Sequence, residues 1–299
     1  MKLAASAVLV LLCAWQATAA PVFTPGAVDG EFRFDTGALG GVIREGGASI
    51  GLCLSKPKLN NGPIARNPGL MNYYRIFSTN HRHGESMRGV PSTAEITAPD
   101  TLRVRWEPGE DRPFALTATY RWSAPDTLDV ETVVEAGAAL PDFEVFFSSY
   151  CAGDFPGTRA YAKAEGGAAF IDADPDAGMW QMFPRDAAAV KLIKDGRWTI
   201  GPSPVDWAVR PEFAAPILCR KDEKSGMVMV MMTRPGDCFA LSTPQSGEGH
   251  YSMYQSLFGR TLAAGDTARA HSRLVAAKLS DAEIVERYGK FMAEFPEKN

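Results

Sequence analysis

The chain has 299 residues, with 31 lysines and arginines against 35 aspartates and glutamates and a formal net charge of -4. No basic block interrupts this balance, so a nucleic-acid-binding groove, which needs clustered lysine and arginine, is not expected. A hydrophobic fraction of 45% and a charged fraction of 22% are ordinary for a domain with a sizeable core, so disorder is not expected outside the termini.

The first residues have the order of a secretory signal peptide. Lys2 is followed by an uncharged apolar run over residues 3–15 and by small residues over 17–20. A membrane-spanning helix needs about 20 apolar residues, and neither this run nor any later segment provides them. We therefore predict cleavage of residues 1–20 and export of residues 21–299 as a single domain, secreted or periplasmic, without a membrane span.

Alternating apolar and polar side chains dominate the middle of the chain. They predict half-buried strands over residues 101–106, 114–122 and 127–134, joined by short turn segments that are typical of an antiparallel meander. Further strands are predicted over 31–35, 94–97, 143–149, 227–233, 239–242, 251–257 and 268–276. The fold class that follows is all-β, a large antiparallel β-sandwich.

Only the C-terminal segment has a clear helical pattern, in which Ser280 and Glu283 form a capping box. The apolar residues that follow at helical spacing are Ile284, Tyr288 and Phe291. A short helix packed on the outside of a sheet is therefore predicted. Two segments rich in Gly, Pro and Asn, 53–72 and 152–159, are predicted to be long loops, which is where binding residues gather in β-sandwiches.

The cysteines leave two interpretations open. Those beyond the leader are Cys53, Cys151, Cys219 and Cys238. Because an exported protein can form disulfides and Cys219 and Cys238 flank the strand over 227–233, a bridge between neighbouring strands is one expectation. Buried free thiols are the alternative, since a core of this size needs no covalent staple. No CxxC spacing suggests zinc, and no metal or other cofactor is predicted.

The motifs over residues 81–136 follow a distinctive order. His83-Gly84 and Arg88 come before a strand pair, Pro113-Phe114 opens the next strand, and Leu128-Asp-Val opens another. This order resembles the galactose mutarotase-like (aldose epimerase) superfamily, which implies a large antiparallel β-supersandwich. The superfamily is also similar to domains of polysaccharide lyases and glycoside hydrolases, so the implied ligand is a carbohydrate without a fixed reaction.

In that superfamily a histidine is the general acid at the sugar ring oxygen and a glutamate is the general base at the anomeric hydroxyl. A second histidine, an arginine and an aspartate assist them. The resemblance implies that Arg75 and His83 match the arginine and the first histidine, and that Asp206 matches the aspartate loosely. Two positions depart from the pattern: Tyr150-Cys151 stands where the acid histidine would end a strand, and Ser242-Thr243 where the glutamate would sit. The resemblance alone therefore does not imply mutarotase activity.

The densest polar constellation consists of Arg75, His81, Arg82, His83, Glu85 and Arg88. Its two imidazoles and three guanidiniums would neutralise a sugar carboxylate and supply an acid or base near neutral pH. The alternative is a solvated loop whose arginines pair with nearby acids.

A second constellation contains Glu248 and His250. Glu248 lies a few residues beyond the position of the missing glutamate, so a shifted loop would place a carboxylate in the site. Its alternative is a polar turn leading into a strand.

A third candidate region contains Trp180, Trp198 and Trp207 with Asp206 between them. Aromatic rings stack on the apolar faces of sugars, although core packing is the commoner fate of tryptophan. The predicted catalytic residues are His83 or His250 as proton donor and Glu248 as base. The predicted substrate-binding residues are Arg75, His81, Arg88, Tyr150, Trp180, Asp206, Trp207 and Arg260.

The leading hypothesis is an exported protein that binds or modifies a mono-, oligo- or polysaccharide at one face, where Arg75, His83, Asp206, Glu248 and His250 converge. A non-catalytic carbohydrate-recognition module is the second hypothesis, and a structural envelope protein is the third. Nothing in the sequence indicates the oligomeric state.

Overall fold

A computed structural model describes residues 22–44, 52–54, 64–66, 68–79, 81–245 and 251–296, with the strand over 52–54 described as backbone. The strands, numbered along the chain, are β1 (Phe23–Pro25), β2 (Glu31–Asp35), β3 (Gly40–Arg44), β4 (Leu52–Leu54), β5 (Asn72–Ser78), β6 (His81–Arg82), β7 (Thr93–Ala98), β8 (Thr101–Trp106), β9 (Phe114–Ala124), β10 (Thr127–Ala136), β11 (Leu140–Tyr150), β12 (Gly157–Ala164), β13 (Gly167–Asp172), β14 (Trp180–Pro184), β15 (Ala208–Val209), β16 (Phe213–Lys221), β17 (Met227–Thr233), β18 (Cys238–Pro244), β19 (Ser252–Leu262) and β20 (Thr267–Lys278). The α-helices are α1 (Ala187–Ile193) and α2 (Asp281–Glu294).

The strands form two large sheets and one small one. The nine-stranded sheet has the order β13-β12-β16-β17-β20-β10-β9-β8-β7, and the seven-stranded sheet has the order β15-β14-β18-β19-β11-β5-β6. Strands β1 to β4 form a separate four-stranded sheet. Neighbouring strands pair antiparallel throughout the described residues, except for the short parallel pair of β14 and β15. The predicted all-β antiparallel sandwich is confirmed.

The predicted meander is β8, β9 and β10, paired in consecutive order. Alternation decides the faces of these strands: Leu102 and Val104 of β8 are fully buried, whereas Arg103 between them is exposed. The main core lies between the two large sheets. The Tyr73 ring of the seven-stranded sheet packs 5.3 Å from the Trp106 ring of the nine-stranded sheet, measured between centroids. The two large sheets are therefore layers of one sandwich.

Each large sheet is also covered on its outer face. The helix α2 begins with the predicted capping box at Ser280 and buries Ile284 and Phe291 against the nine-stranded sheet, as predicted. The outer face of the seven-stranded sheet is covered by α1 and the segment 195–207 that follows it. The sequence did not predict α1, because it is one short helix whose clearest signal is the N-cap Asp186.

Of the two interpretations of the cysteines, the structure supports buried free thiols over a bridge between Cys219 and Cys238. Cys151, Cys219 and Cys238 are all buried free thiols. Cys219 lies under α2 on the outer side of β16, whereas Cys238 lies in the core between the sheets. Burial raises the pKa of each of the three thiols to about 12, so they remain protonated at physiological pH and act as small apolar side chains.

Candidate functional site

The outer face of the seven-stranded sheet carries most of the predicted binding residues. In β11, Val145 and Phe147 point into the core between the sheets. Because side chains alternate along a strand, Phe146, Ser148 and Tyr150 point to the outer face. Tyr150 is the last residue of β11, one residue beyond the predicted end of this strand.

A β-bulge in β5 adds an arginine to this face. Val145 pairs with Ile76 and Phe147 with Tyr73, so two residues, Tyr74 and Arg75, lie opposite the single residue Phe146. Tyr74 joins the outer aromatic cluster, and the guanidinium carbon of Arg75 lies 4.8 Å from the centre of the Tyr74 ring. The bulge therefore allows two neighbouring residues to occupy the same face.

Arg88 is held in a fixed position on this face. Its Nε donates to Asn72 Oδ1 at 2.9 Å, and its Nη2 donates to Ser148 Oγ at 3.2 Å. Its guanidinium carbon lies 4.2 Å from the ring centre of Tyr74 and 4.8 Å from that of Tyr150. Arg88 is half-buried, and its Nη1 has no hydrogen-bond acceptor among the described residues. Among the described residues, one edge of this oriented guanidinium is therefore left without a hydrogen bond.

Two more arginines lie beside it. Arg75 Nη2 donates to the Ser203 carbonyl at 2.8 Å, and Arg82 Nη1 donates to the Pro202 carbonyl at 2.6 Å. The pKa of Arg82 is lowered mainly by burial and further by the neighbouring Arg75 cation. Within the described part of the chain, none of Arg75, Arg82 and Arg88 forms an ion pair with a carboxylate. We call the group formed by Tyr74, Arg75, Arg82, Arg88 and Tyr150 the arginine face. Arg75, Arg82 and Tyr150 are buried within it, and Tyr74 and Arg88 are its partly exposed members.

The tryptophans divide into a core pair and a partly exposed ring. Trp198 and Trp207 are each 2% exposed and pack on Phe146, so the structure favours core packing for both. Trp180 is partly exposed, and its ring centre lies 5.6 Å from that of Trp207. Of the three predicted tryptophans, Trp180 is the partly exposed one.

Glu248 and His250 lie outside the described residues. The positions of the flanking residues are clear: the Gln245 amide donates to the Met179 carbonyl, and the Tyr251 carbonyl accepts from the Cys151 amide at 2.8 Å. Ser252 pairs with Tyr150 across the sheet. Both flanks of the segment 246–250 therefore lie at the Tyr150 end of the seven-stranded sheet.

A buried arginine fixes these flanks. Arg220 is 1% exposed, and its five N–H groups are all used. The acceptors are the carbonyls of Phe155, Pro156, Pro244 and Ser252 and the hydroxyl of Thr243. Burial lowers the pKa of Arg220 to about 10. Arg220 therefore joins three segments, the loop after β11 and the facing ends of β18 and β19.

The predicted convergence of His83 with Arg75 on one face is not found. His83 is 5% exposed and packs against Phe114 and Phe143 of the core between the sheets, whereas Arg75 lies on the outer face. Burial lowers the pKa of His83, so its imidazole is neutral near pH 7. Phe143 precedes Tyr150 by seven residues in β11, about 23 Å along an extended strand. His83 is therefore remote from the flanks of the segment 246–250.

Three other predicted binding residues also lie apart from the arginine face. Asp206 is exposed, and its Oδ1 accepts from Lys194 Nζ at 3.0 Å, at the rim of a cavity of about 390 Å³. Arg260 is exposed and pairs with Phe143, at the opposite end of β11 from Tyr150. His81 is half-exposed, and its Nε2 lies 2.9 Å from Asp111 Oδ1. The structure thus brings Arg75, Arg88 and Tyr150 together and places Trp180 and Trp207 in the aromatic cluster of the same face, whereas His81, Asp206 and Arg260 have other partners.

The residues that hold the arginine face in place were not predicted from the sequence. Asn72 and Ser148 orient Arg88, and Arg220 fixes the adjoining strand ends. A polar residue inside a strand has no special sequence pattern, and a buried arginine cannot be distinguished from an exposed one by its neighbours in the chain. The one usable signal was the aromatic pair Tyr73-Tyr74 directly before Arg75.

Comparison with known proteins identifies the fold. The sequence matches no protein-family model and no curated protein. A putative mutarotase from Salmonella typhimurium is 11% identical, with a TM-score of 0.50 and coverage of 88% of this chain and 96% of that chain. The Slr1438 protein from Synechocystis is 9% identical, with a TM-score of 0.51 and coverage of 83% and 96%. A heparan sulfate lyase from Pedobacter heparinus is 6% identical, with a TM-score of 0.50, and 87% of this chain matches 37% of the lyase.

The chain therefore has the galactose mutarotase-like β-supersandwich fold, as the sequence resemblance implied. The structural neighbours that share this fold include a putative mutarotase and a heparan sulfate lyase. Among the described residues, neither helix has the length and apolarity needed to span a membrane.

Proposed function

We propose that this protein is exported and binds a carbohydrate at the arginine face, with preference for a sugar that carries a carboxylate. The proposal rests on the position of Arg88, whose guanidinium is stacked between the rings of Tyr74 and Tyr150. Two of its nitrogens donate to Asn72 and Ser148, and the third has no acceptor among the described residues. An arginine fixed in this way binds a planar carboxylate with little loss of side-chain entropy. The fold supports the sugar as the ligand class.

The charge balance of the arginine face supports an acidic sugar. Arg75, Arg82 and Arg88 lie close together and have no described carboxylate partner, although the chain as a whole is acidic. Neighbouring cations that lack acidic partners attract an anionic ligand. Tyr74 and Trp180 provide partly exposed rings for the apolar face of a sugar.

The catalytic part of the proposal rests on Glu248 and His250. Their flanking residues lie at the same end of the sheet as Tyr150 and Arg88. His83 is not included, because its ring is buried in contact with core residues on the other side of β5. A binding module without catalysis is the second candidate, and this position of His83 favours it.

Binding is tested with oligosaccharides that contain uronic acid and with neutral oligosaccharides of equal length, by titration calorimetry. We expect the uronic-acid ligands to bind more tightly, and Arg88→Gln to weaken their binding by about 10- to 100-fold, because a charge-assisted hydrogen bond is lost. Arg103→Gln, an exposed arginine on the nine-stranded sheet, is the matched control and should leave affinity unchanged.

Product formation from the same sugars separates an enzyme from a module. In an enzyme, Glu248→Gln or His250→Ala should abolish turnover and retain binding. Binding without turnover in the unchanged protein would assign it to the recognition modules. No binding to any sugar would contradict the proposal and favour a structural envelope protein. Export is checked by N-terminal sequencing of the protein recovered outside the cytoplasm, which should begin just after the predicted leader.

A further inference from the structure

A second polar cluster lies at the edge of the sandwich, where His81 and His83 flank Arg82 of the arginine face in the chain. His81, His83 and Asp111 each offer one ligand atom, and these three atoms all lie within 4.8 Å of one another. Atoms bound to one ion at about 2.0–2.2 Å lie roughly 3–4 Å apart, so only small side-chain movements are needed. We propose that these residues form a binding site for a divalent transition-metal ion of the zinc class.

The donor atoms select this class of ion. Two imidazole nitrogens and one carboxylate oxygen suit Zn²⁺, whereas Ca²⁺ and Mg²⁺ prefer sites built from oxygen alone. Three protein ligands leave a fourth position for water or another ligand, which is the arrangement of open zinc sites. Glu110 lines the same cavity as the three ligand residues and is a candidate for that position.

Hydrogen bonds already orient the ligand residues. Asp111 Oδ2 accepts from the Gly84 amide at 2.7 Å, which leaves Oδ1 directed to His81 Nε2 at 2.9 Å. The Asp111 carbonyl lies 2.8 Å from His83 Nδ1 and so links the two segments that supply the ligands. In metal sites, hydrogen bonds of this kind hold the ligands in place and contribute to affinity.

An ion can reach this cluster from solvent. The cavity beside it has a volume of about 380 Å³ and also contains Ser78, Thr79 and Pro141 in its lining. The side chains of His81 and Asp111 are 49% and 54% exposed. His83, by contrast, is buried, and its Nδ1 donates to the Asp111 carbonyl at 2.8 Å while its Nε2 lies 2.9 Å from Ser78 Oγ. Nε2 therefore carries the lone pair, and an ion bound there takes the place of the Ser78 hydroxyl. The site therefore combines one rigid ligand with two accessible ones, and binding does not require unfolding.

Titration of the metal-stripped, purified protein with Zn²⁺ tests the proposal, by calorimetry and by competition with a chromophoric chelator. We expect one equivalent to bind, and His81→Ala and Asp111→Asn each to weaken binding by about tenfold or more. Both positions are exposed, so both variants should fold. His271→Gln is the matched control, since His271 also lies near two carboxylates, Glu131 and Asp237, and it should bind Zn²⁺ as the unchanged protein does.

Replacement of Zn²⁺ by Co²⁺ adds a spectroscopic readout. Absorption bands of a four- or five-coordinate Co²⁺ centre are expected in the unchanged protein and in Arg88→Gln, which lies in the arginine face, and should be lost in Asp111→Asn. The proposal is overturned if no stoichiometric Zn²⁺ binds, or if affinity is the same in His81→Ala and Asp111→Asn as in the unchanged protein. Retained binding in Arg88→Gln also keeps this site distinct from the sugar site.

Discussion

Replacing Arg197 with methionine should lower the free energy of unfolding by about 3–5 kcal/mol, because a buried carboxylate loses its partner. Arg197 and Glu144 are both fully buried, and Arg197 Nη1 donates to Glu144 Oε2 at 3.0 Å. Asp195 also binds the guanidinium, through two nitrogens. Burial already raises the pKa of Glu144 despite the opposing effect of Arg197, and without the cation the carboxyl would be driven to its neutral form.

The effect should extend to the arginine face. Arg197 joins β11 to the segment 195–207, which supplies the Ser203 carbonyl to Arg75 and the Trp198 ring that packs on its guanidinium. Urea denaturation gives the stability, and hydrogen exchange over 195–207 reports the loosening. Arg103→Met, at an exposed pair with Glu95, is the control and should cost about 0–1 kcal/mol. Equal effects of the two substitutions would show that the buried pair has no special role.

Replacing Arg220 with methionine should cost a similar amount, about 3–5 kcal/mol, for a different reason. No carboxylate is among its five acceptors; the substitution would instead remove the arginine donor from four backbone carbonyls and the Thr243 hydroxyl. Of these carbonyls, those of Pro244 and Ser252 keep the Thr243 hydroxyl as a possible donor, and those of Phe155 and Pro156 do not. Each of these groups is shielded from water or nearly so, and an unsatisfied buried acceptor loses its hydration without compensation. Thermal and urea unfolding measure the loss.

Arg220→Lys separates charge from hydrogen-bonding capacity. A lysine keeps the positive charge but has three donors, so it cannot satisfy five acceptors. We therefore expect the free energy of unfolding of Arg220→Lys to lie between that of the unchanged protein and that of Arg220→Met. Sugar affinity should fall in both variants, because Arg220 fixes the strand ends that flank the segment 246–250. A lysine variant as stable as the unchanged protein would mean that the charge alone matters at this position.

Predictability from sequence differed between the fold and the site. The strands β8, β9 and β10 were found almost to the residue, because each has one face in the core and one in solvent, and this leaves a period of two in the sequence. β5 and β16 were missed, since strands buried on both faces lose that alternation. The C-terminal helix was found from its capping box, which is a local signal.

The sequence by itself determined the all-β class, the C-terminal helix and the resemblance to the mutarotase-like proteins, because these depend on periodicity and on the order of short motifs. The tertiary structure decided which polar residues meet. His83 and Arg75 are close in the chain but lie on opposite sides of β5. His81 and Asp111, in contrast, are separated in the chain by β7 and β8, and their side chains are in contact. Side-chain direction depends on strand pairing, and a single bulge moves Arg75 to the outer face. Strand pairing is a property of the folded sheets, so the local sequence does not predict which face a side chain occupies.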